Sequence, residues 1–491
     1  MKKLTTAMRQ FRESTEIPSF EKNIEFLFAK LCGIFFHTSL DSKDSRNLAQ
    51  NLAQNPARAQ NLTNPTQNTF NPAFPRLFKL FRVCFIILVD CILAFAFCAP
   101  LYGLHLFESV FGREIPLFLG SILGVLSIYV YLRMPKSRRF GVGFFVGIFC
   151  FYWVGLSFRF IGLSALVPIV SIAVALIYGV IFWFIAFCEC LVVRLLGLLL
   201  LGFIAPFGFD WLNVQSFLAY SYFDVDFLHF TLLVCALYCF IAFTRARLII
   251  GALCLIFALD FKTFRESSVP KEFENIALVS TNVPQEFKWS AQKMQEIVIE
   301  NFAHIYEAKN NDKRVVVLPE NAFPLSLEAD LKNYPSFYEL LLNLSKEITI
   351  ITGALSVRDS QYYNSLFVFA DSQVLRVDKV VLAPFGEYVP LPAFVKKAFP
   401  LLEELEFSRG KDFGDISLLG YEFRVGICYE ATDRALYRDY PRYVLAISNN
   451  AWFYPSIEPT LQKMLLKYYA RRFDSVILHA ANGSESFIIT P

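Results

Sequence analysis

The chain has 491 residues, of which 55% are apolar and 16% aromatic, and its mean hydropathy is +0.44. Soluble domains run at roughly 45–50% apolar even with glycine counted, so an ordinary soluble enzyme is excluded. Lys and Arg total 46 against 43 Asp and Glu, and this net charge of +3 leaves no basic footprint for nucleic acid.

No cleavable signal peptide opens the chain. Phe20 to His37 is apolar in part, but Lys22, Glu25 and Lys30 interrupt it, which predicts an amphipathic surface helix rather than a span. Residues 38–76 are rich in Asn, Gln, Ser and Ala, with Asn-Leu-Ala-Gln-Asn in two overlapping copies. Such a stretch has too little apolar surface to offset chain entropy, so residues 1–78 read as an N-terminal cytoplasmic segment with a disordered tract.

Residues 79–262 read as a membrane domain of seven spans, with apolar runs near 83–100, 116–134, 140–157, 164–188, 191–209, 227–243 and 248–261. Most approach the ~20 residues needed to cross the hydrocarbon core. The last is short, and Arg194 interrupts the fifth near its start. Arg76, Lys79 and Arg82, then Lys136, Arg138 and Arg139, then Arg194, then Arg245 and Arg247 fall on one side. The alternate loops carry Glu108, Arg113 and Glu114, then Arg159, then Asp210, Asp224 and Asp226. The basic bias fixes the orientation by the positive-inside rule and puts everything after residue 262 outside the cytoplasm. Most of the eleven cysteines lie within apolar runs (Cys84, Cys91, Cys98, Cys150, Cys235, Cys239), where a thiol serves as a small hydrophobe. Cys188 and Cys190 have no complementary His or Cys pair, so no metal site is expected.

From about residue 270 the texture changes. Short β-type runs appear at Ile276–Ser280, Arg314–Leu318, Ile348–Thr352, Leu366–Ala370, Phe423–Cys428, Tyr443–Ile447 and Val476–His479, with helical stretches at 290–309, 335–346 and 457–473. Strands alternating with helices predict an α/β domain over 270–491, its apolar strands covered on both faces.

Cys428 is the one cysteine of this half, so no internal disulfide can form there. It ends a strand-like run, Arg424 to Ile427, that breaks abruptly into polar residues. Two other strand ends offer partners: Val-Val-Val-Leu-Pro-Glu320 and Leu-Arg-Val-Asp-Lys379. Acyl transfer through a thioester needs a nucleophile, a base to deprotonate it and positive charge where the oxyanion forms. Cys428 fits the first role, a desolvated Glu320 the second and Lys379 the third, with the backbone N–H of Tyr429 as a second oxyanion donor if the chain turns sharply there. Against this, a lone buried cysteine is more often inert than reactive. His304 and His479 read as structural or exposed, and no Gly-x-Ser-x-Gly elbow occurs.

Three segments together carry more weight: Leu318-Pro319-Glu320, Asp378-Lys379 through Pro384-Phe385-Gly386-Glu387-Tyr388-Val389-Pro390, and Ile427-Cys428-Tyr429-Glu430. Their order and spacing resemble the three motifs of the nitrilase (carbon–nitrogen hydrolase) superfamily. More narrowly, residues 80–491 resemble the apolipoprotein N-acyltransferase family, with further matches at Asn282 to Trp289, Tyr363-Asn364-Ser365, Phe407 to Gly410, Ser448 to Phe453 and, in the membrane half, Phe144 to Ser157. The resemblance implies a polytopic α-helical membrane domain carrying a nitrilase-like α-β-β-α sandwich. It implies a ping-pong transfer in which Cys428 takes an acyl chain from a phospholipid and passes it to the amino group of an apolipoprotein's diacylglyceryl-cysteine. Glu320 would be the base, Lys379 the oxyanion holder and Glu387 a support, with Tyr429 and Glu430 shaping the site and Trp289 near the lipid. A bacterial inner-membrane location with the catalytic domain in the periplasm, a monomer, and no cofactor or metal are further expectations. Pro392 to Leu402 reads either as an interfacial lid or as a packed helix.

The chain departs from the family pattern in three places. Asn450 stands where Asp is usual, Tyr469-Ala470-Arg471-Arg472 replaces Arg-Ala-x-Glu, and the sequence stops at Pro491 where members usually continue to a final span. The competing readings are a membrane-tethered amidase acting on a small amide, which the multispan half disfavours, and a catalytically inactive membrane scaffold.

Overall fold

The computed structural model describes residues 73–261, 269–327, 335–388 and 406–491. The amphipathic stretch at 20–37, most of the Asn/Gln-rich tract and the lid-like segment lie outside them.

The apolar runs form helices α1 (Ala73–Phe97), α2 (Ala99–Phe111), α3 (Leu117–Arg133), α4 (Arg139–Phe151), α5 (Leu166–Ile185), α6 (Leu191–Leu201), α7 (Phe227–Ile241) and α8 (Arg245–Phe257). Among the described residues, four segments are long and apolar enough to cross a membrane: Lys79–Phe97, Lys136–Phe160, Leu166–Ile185 and Leu191–Gly208. Their outward faces expose large apolar side chains such as Leu88, Ile92, Ile169, Trp183 and Leu200. Helices apolar on every side belong in lipid. Gly147 brings α4 against α5, since a Cβ there would lie 2.7 Å from the Ala175 Cα. The first run does not end the helical path at residue 100: after Cys98 it restarts with Pro100 in the first turn of α2. The interrupting Arg194 is buried, its Nη1 donating to the Leu132 carbonyl at 2.9 Å and its Nε to that of Cys188 at 3.2 Å. It thereby fastens α6 to the end of α3.

Two five-stranded sheets follow. The first orders β1 (Ile276–Leu278), β2 (Val315–Val317), β3 (Thr349–Arg358), β4 (Gln361–Ala370) and β5 (Gln373–Asp378), with β1–β2–β3 parallel and β4 antiparallel to both neighbours. The second comprises β6 (Asp415–Leu418), β7 (Tyr421–Ile427), β8 (Tyr443–Asn449), β9 (Val476–Asn482) and β10 (Phe487–Ile489), with β7, β8 and β9 parallel at its centre. Every residue of β2 and β9 is buried, as expected of strands covered on both faces. Val315, Val317 and Ile351 pack on Val425, Ile427, Leu445 and Leu478 between the sheets. Helices α9 (Ala291–Asn310) and α10 (Pro335–Leu344) cover the outer face of the first sheet through Ile305, Leu341 and Leu344. Helix α11 (Glu458–Phe473) covers the second, completing the α-β-β-α sandwich. The run-by-run reading missed β6 and β10, four- and three-residue strands at the two edges of one sheet. It also shortened β3 and β4, which continue to a two-residue turn with Asp359 and Ser360 at positive φ.

The outer face of α11 meets the membrane helices. Lys463 pairs with Glu108 of α2 at 2.7 Å, and the imidazole of His105 lies 3.0 Å from the Thr460 hydroxyl. The altered Tyr469–Arg472 segment has a structural purpose. Arg471 donates to the carbonyls of Leu218, Ala219, Ser221 and Phe223 and pairs with Asp260 at 2.7 Å. Asn450 keeps its place with neutral partners, donating to Gln462 and Ser484 at 3.0 Å each.

Candidate active site

Glu320, Lys379 and Cys428 follow the carboxyl ends of β2, β5 and β7. This is the end of an α/β sheet where ligands bind. After β2 the chain crosses directly over β3. A Cβ on Gly353 would stand 2.6 Å from both Glu320 Cα and Asn321 N, so only glycine admits the passage, which Gly353 N–H secures by donating to the Pro319 carbonyl at 3.2 Å. Glu320 ends up buried, Oε1 accepting from Asn364 Nδ2 at 2.6 Å and Oε2 without a hydrogen-bond partner. Asn364, on β4, uses its other amide hydrogen on Glu387 Oε1 at 2.7 Å. Glu387 Oε2 accepts from the Ala383 N–H at 2.8 Å and lies 2.6 Å from the buried Lys379 ammonium. One asparagine thus bridges two carboxylates, and the second carboxylate holds the lysine.

Cys428 is partly exposed and adopts φ +56°, a left-handed conformation that L side chains rarely take. Such strain costs of order 1–3 kcal/mol and persists only where neighbours enforce it. Glu430 does the enforcing here. Its Oε2 accepts from the Ile427 N–H at 3.0 Å, and its Oε1 from the N–H groups of Val380 and Val381 at 2.7 and 3.0 Å. A single buried side chain therefore closes the turn after Cys428 and ties it to the residues just after Lys379. Burial pushes the Glu430 carboxyl up to about 7, against the lowering effect of those three N–H groups.

Burial pushes the Cys428 thiol well up, and Glu320 adds to this while Lys379 opposes it. A thiol so placed is neutral at rest and must give its proton to a base. Burial alone would lower Lys379, but the carboxylates of Glu387 and Glu320 outweigh it and hold the ammonium charged. Lys288, also buried, donates from Nζ to the Glu320 carbonyl at 3.0 Å, and burial brings it down to about 8.

The structure brings Glu320, Lys379, Glu387, Cys428 and Glu430 together. Tyr429 faces the membrane half: its ring stacks on Phe209 and Trp211, and its hydroxyl donates to the Gly208 carbonyl at 3.0 Å. Trp289 is 44% exposed, one residue beyond the helical turn that carries Lys288 inward. Sequence reading missed the roles of Asn364 and Lys288; both lie inside quoted motifs, but nothing in their spacing says that they reach Glu320. His479 is buried against Ser448 at 2.8 Å and pushed down to about 3 by burial, a neutral structural group. Among the described residues one trio, Asp224, Asp226 and His229, could hold a metal ion. Asp226 already caps α7 by accepting from the His229 N–H, and lies 2.6 Å from its ring.

A helical membrane domain supporting an α-β-β-α sandwich, with Glu, Lys and Cys at three strand ends, defines the class of this protein. A sequence profile for the apolipoprotein N-acyltransferase integral membrane domain matches residues 84–261. An apolipoprotein N-acyltransferase of Helicobacter hepaticus is 42% identical over 404 residues, which cover 80% of this chain and 98% of that protein. One from Helicobacter pylori is 42% identical over 388 residues, covering 77% and 89%. The chain belongs to the apolipoprotein N-acyltransferase family. Among solved structures, a CN-hydrolase superfamily protein of Xanthomonas campestris with an arsenic adduct in its active site matches 44% of this chain and 82% of its own, at 16% identity and a TM-score of 0.33.

Proposed function

We propose that this chain transfers an acyl chain from a phospholipid to the α-amino group of a lipoprotein's diacylglyceryl-cysteine through a thioester on Cys428. The observation that carries this reading is the strained Cys428 turn. It sits between the Glu320–Asn364–Glu387–Lys379 network and an aromatic wall of the membrane half. Glu320, with one carboxylate oxygen unengaged, takes the thiol proton as sulfur attacks the donor ester. Lys379 stabilises the oxyanion, with the N–H of Tyr429, the residue after the left-handed Cys428, as second donor. The proton on Glu320 then leaves with the lysophospholipid hydroxyl, and the acyl group stays on sulfur. Amine attack reverses the sequence and frees the thiol.

The stack of Tyr429 on Phe209 and Trp211, and the Trp211 Nε1 bond to Thr432 at 2.9 Å, support lipid substrates over a small soluble amide. A site fixed to the ends of membrane helices favours reactants that arrive in the bilayer. Seven spans, a periplasmic catalytic domain on the bacterial inner membrane and a monomeric enzyme complete the proposal, and the loop charges support the orientation.

The test is mass spectrometry of the purified chain after incubation with phosphatidylethanolamine. An acyl mass on Cys428 that is absent from Cys428→Ala, with that variant still folded by thermal melting, is the expected result. A chain that releases ammonia from small amides and never acquires the acyl mass would favour the amidase reading instead.

A further inference from the structure

Glu458 opens α11, a helix that packs against the turn running from Cys428 to Thr432. It is only 1% exposed, yet its Oε2 has no hydrogen-bond partner. Among the described residues it makes no ion pair, whereas Glu320, Glu387 and Glu430 are each held by named donors. Its charge raises the Cys428 thiol, and Glu320 in turn raises the Glu458 carboxyl, so these groups act on one another electrostatically. A buried carboxyl oxygen without a partner is destabilising, and an apolar side chain such as Leu at this position would avoid that penalty. The catalytic scheme above assigns Glu458 nothing.

The second half of the reaction, taken as proposed above, leaves a task undone. A primary amine reaches the site mostly as an ammonium, since its ordinary pKa is about 8. It must lose one proton before it can attack and a second as the amide forms. Glu320 serves one of these, because it must also return a proton to the departing sulfur. A second carboxylate beside the thioester would take the other directly.

We propose that Glu458 is the binding site for the acceptor's primary ammonium and the acceptor of its first proton. The ammonium supplies the missing partner for Oε2 and offsets the penalty of a buried carboxylate. One N–H proton then passes to Glu458, and the neutral amine attacks the thioester carbonyl. The C–N bond forms, the C–S bond breaks, and the second N–H proton moves through Glu320 to the Cys428 sulfur. Glu458 afterwards releases its proton to water. Burial and the nearby Glu320 hold the Glu458 carboxyl well above its ordinary range, which favours its taking a proton from the ammonium.

The experiment separates the two halves of the reaction in the full chain. Phosphatidylethanolamine micelles serve as donor, and a synthetic diacylglyceryl-cysteine peptide with a free amino terminus as acceptor. In E458Q, acyl loading of Cys428 is expected to fall less than about threefold, while transfer to the peptide slows more than about tenfold with a raised acceptor KM. E458D keeps the charge but withdraws it by one methylene; it should recover part of the transfer rate. Because loading itself reports folding, a misfolded E458Q is recognised by its absence, and E458D then carries the acceptor-KM test. Equal slowing of both halves in a variant that melts normally, or an unchanged transfer step, overturns the assignment to Glu458 alone. Absence of any acyl mass on the wild-type chain overturns the thioester reading and this one with it.

Discussion

Helices α9 and α11 occupy equivalent outer layers of the same sandwich, yet they face different worlds. On α9, Ile299 and Tyr306 are exposed, and the ion pairs Lys293–Glu296 and Lys309–Glu347 lie at the surface. Ten of the sixteen residues of α11 are buried, among them the polar Glu458, Thr460 and Gln462. The first helix covers a sheet; the second fastens a sheet to a membrane domain. The difference divides the active site. Glu320 and Lys379 come from the sheet backed by α9 and α10, and Cys428 from the sheet bolted to the bundle. The nucleophile is fixed relative to the membrane, and the base and the ammonium are brought to it.

Deleting one cation from each outer helix tests this contrast most severely. Arg471→Met removes a donor to four backbone carbonyls and the buried ion-pair partner of Asp260, so it should cost about 3–5 kcal/mol, the usual range for breaking a buried pair. Lys309→Met removes an exposed pair and should cost less than about 1 kcal/mol. Thermal unfolding in detergent measures both, and Arg471→Met should also slow acyl loading of Cys428. Equal losses from the two variants would sink the distinction between a coat and a bolt.

Much of this arrangement is legible in the sequence, and the exceptions share a physical cause. Runs such as Val315–Val317 and Val476–His479 announce themselves because both faces of those strands are buried. Strands β6 and β10 do not, since short edge strands carry little apolar pattern. Glu320, Lys379 and Cys428 stand out as polar residues that interrupt strand-like runs. Asn364 and Lys288 give no such signal, because their importance lies in contacts across 44 and 32 residues of chain. Arg194 and Arg471 show a third case, in which a charge looks misplaced until its carbonyl partners, far away in sequence, are seen. Glu458 reads as an ordinary first-turn acid, which favours a helix N-terminus anyway.

A smaller effect probes the sheet that carries the base. Gly353→Ala puts a methyl group against the backbone of Glu320 and Asn321, which cannot swing aside as a side chain could. Overpacking of this kind costs about 1–3 kcal/mol. Because the displaced segment holds Glu320, acyl loading should fall by more than the loss of folded protein explains. A variant whose rate tracks only its folded fraction would mean that Glu320 tolerates the shift.

The finest test returns to the docked side. Tyr429→Phe keeps the ring that stacks on Phe209 at 5.8 Å and on Trp211 at 6.0 Å, and deletes only the hydroxyl that donates to the Gly208 carbonyl. A single neutral hydrogen bond contributes about 0.5–1.5 kcal/mol, so the shift in Tm should be a fraction of that for Arg471→Met. The two variants act on different stretches of the membrane half, Gly208 and the 218–223 carbonyls, and share no partner. Their costs should therefore add in the double variant to within about 0.5 kcal/mol. A double variant costing much more than the sum would mean that the nucleophile turn and α11 dock as one cooperative unit, in which the loss of either contact weakens the other.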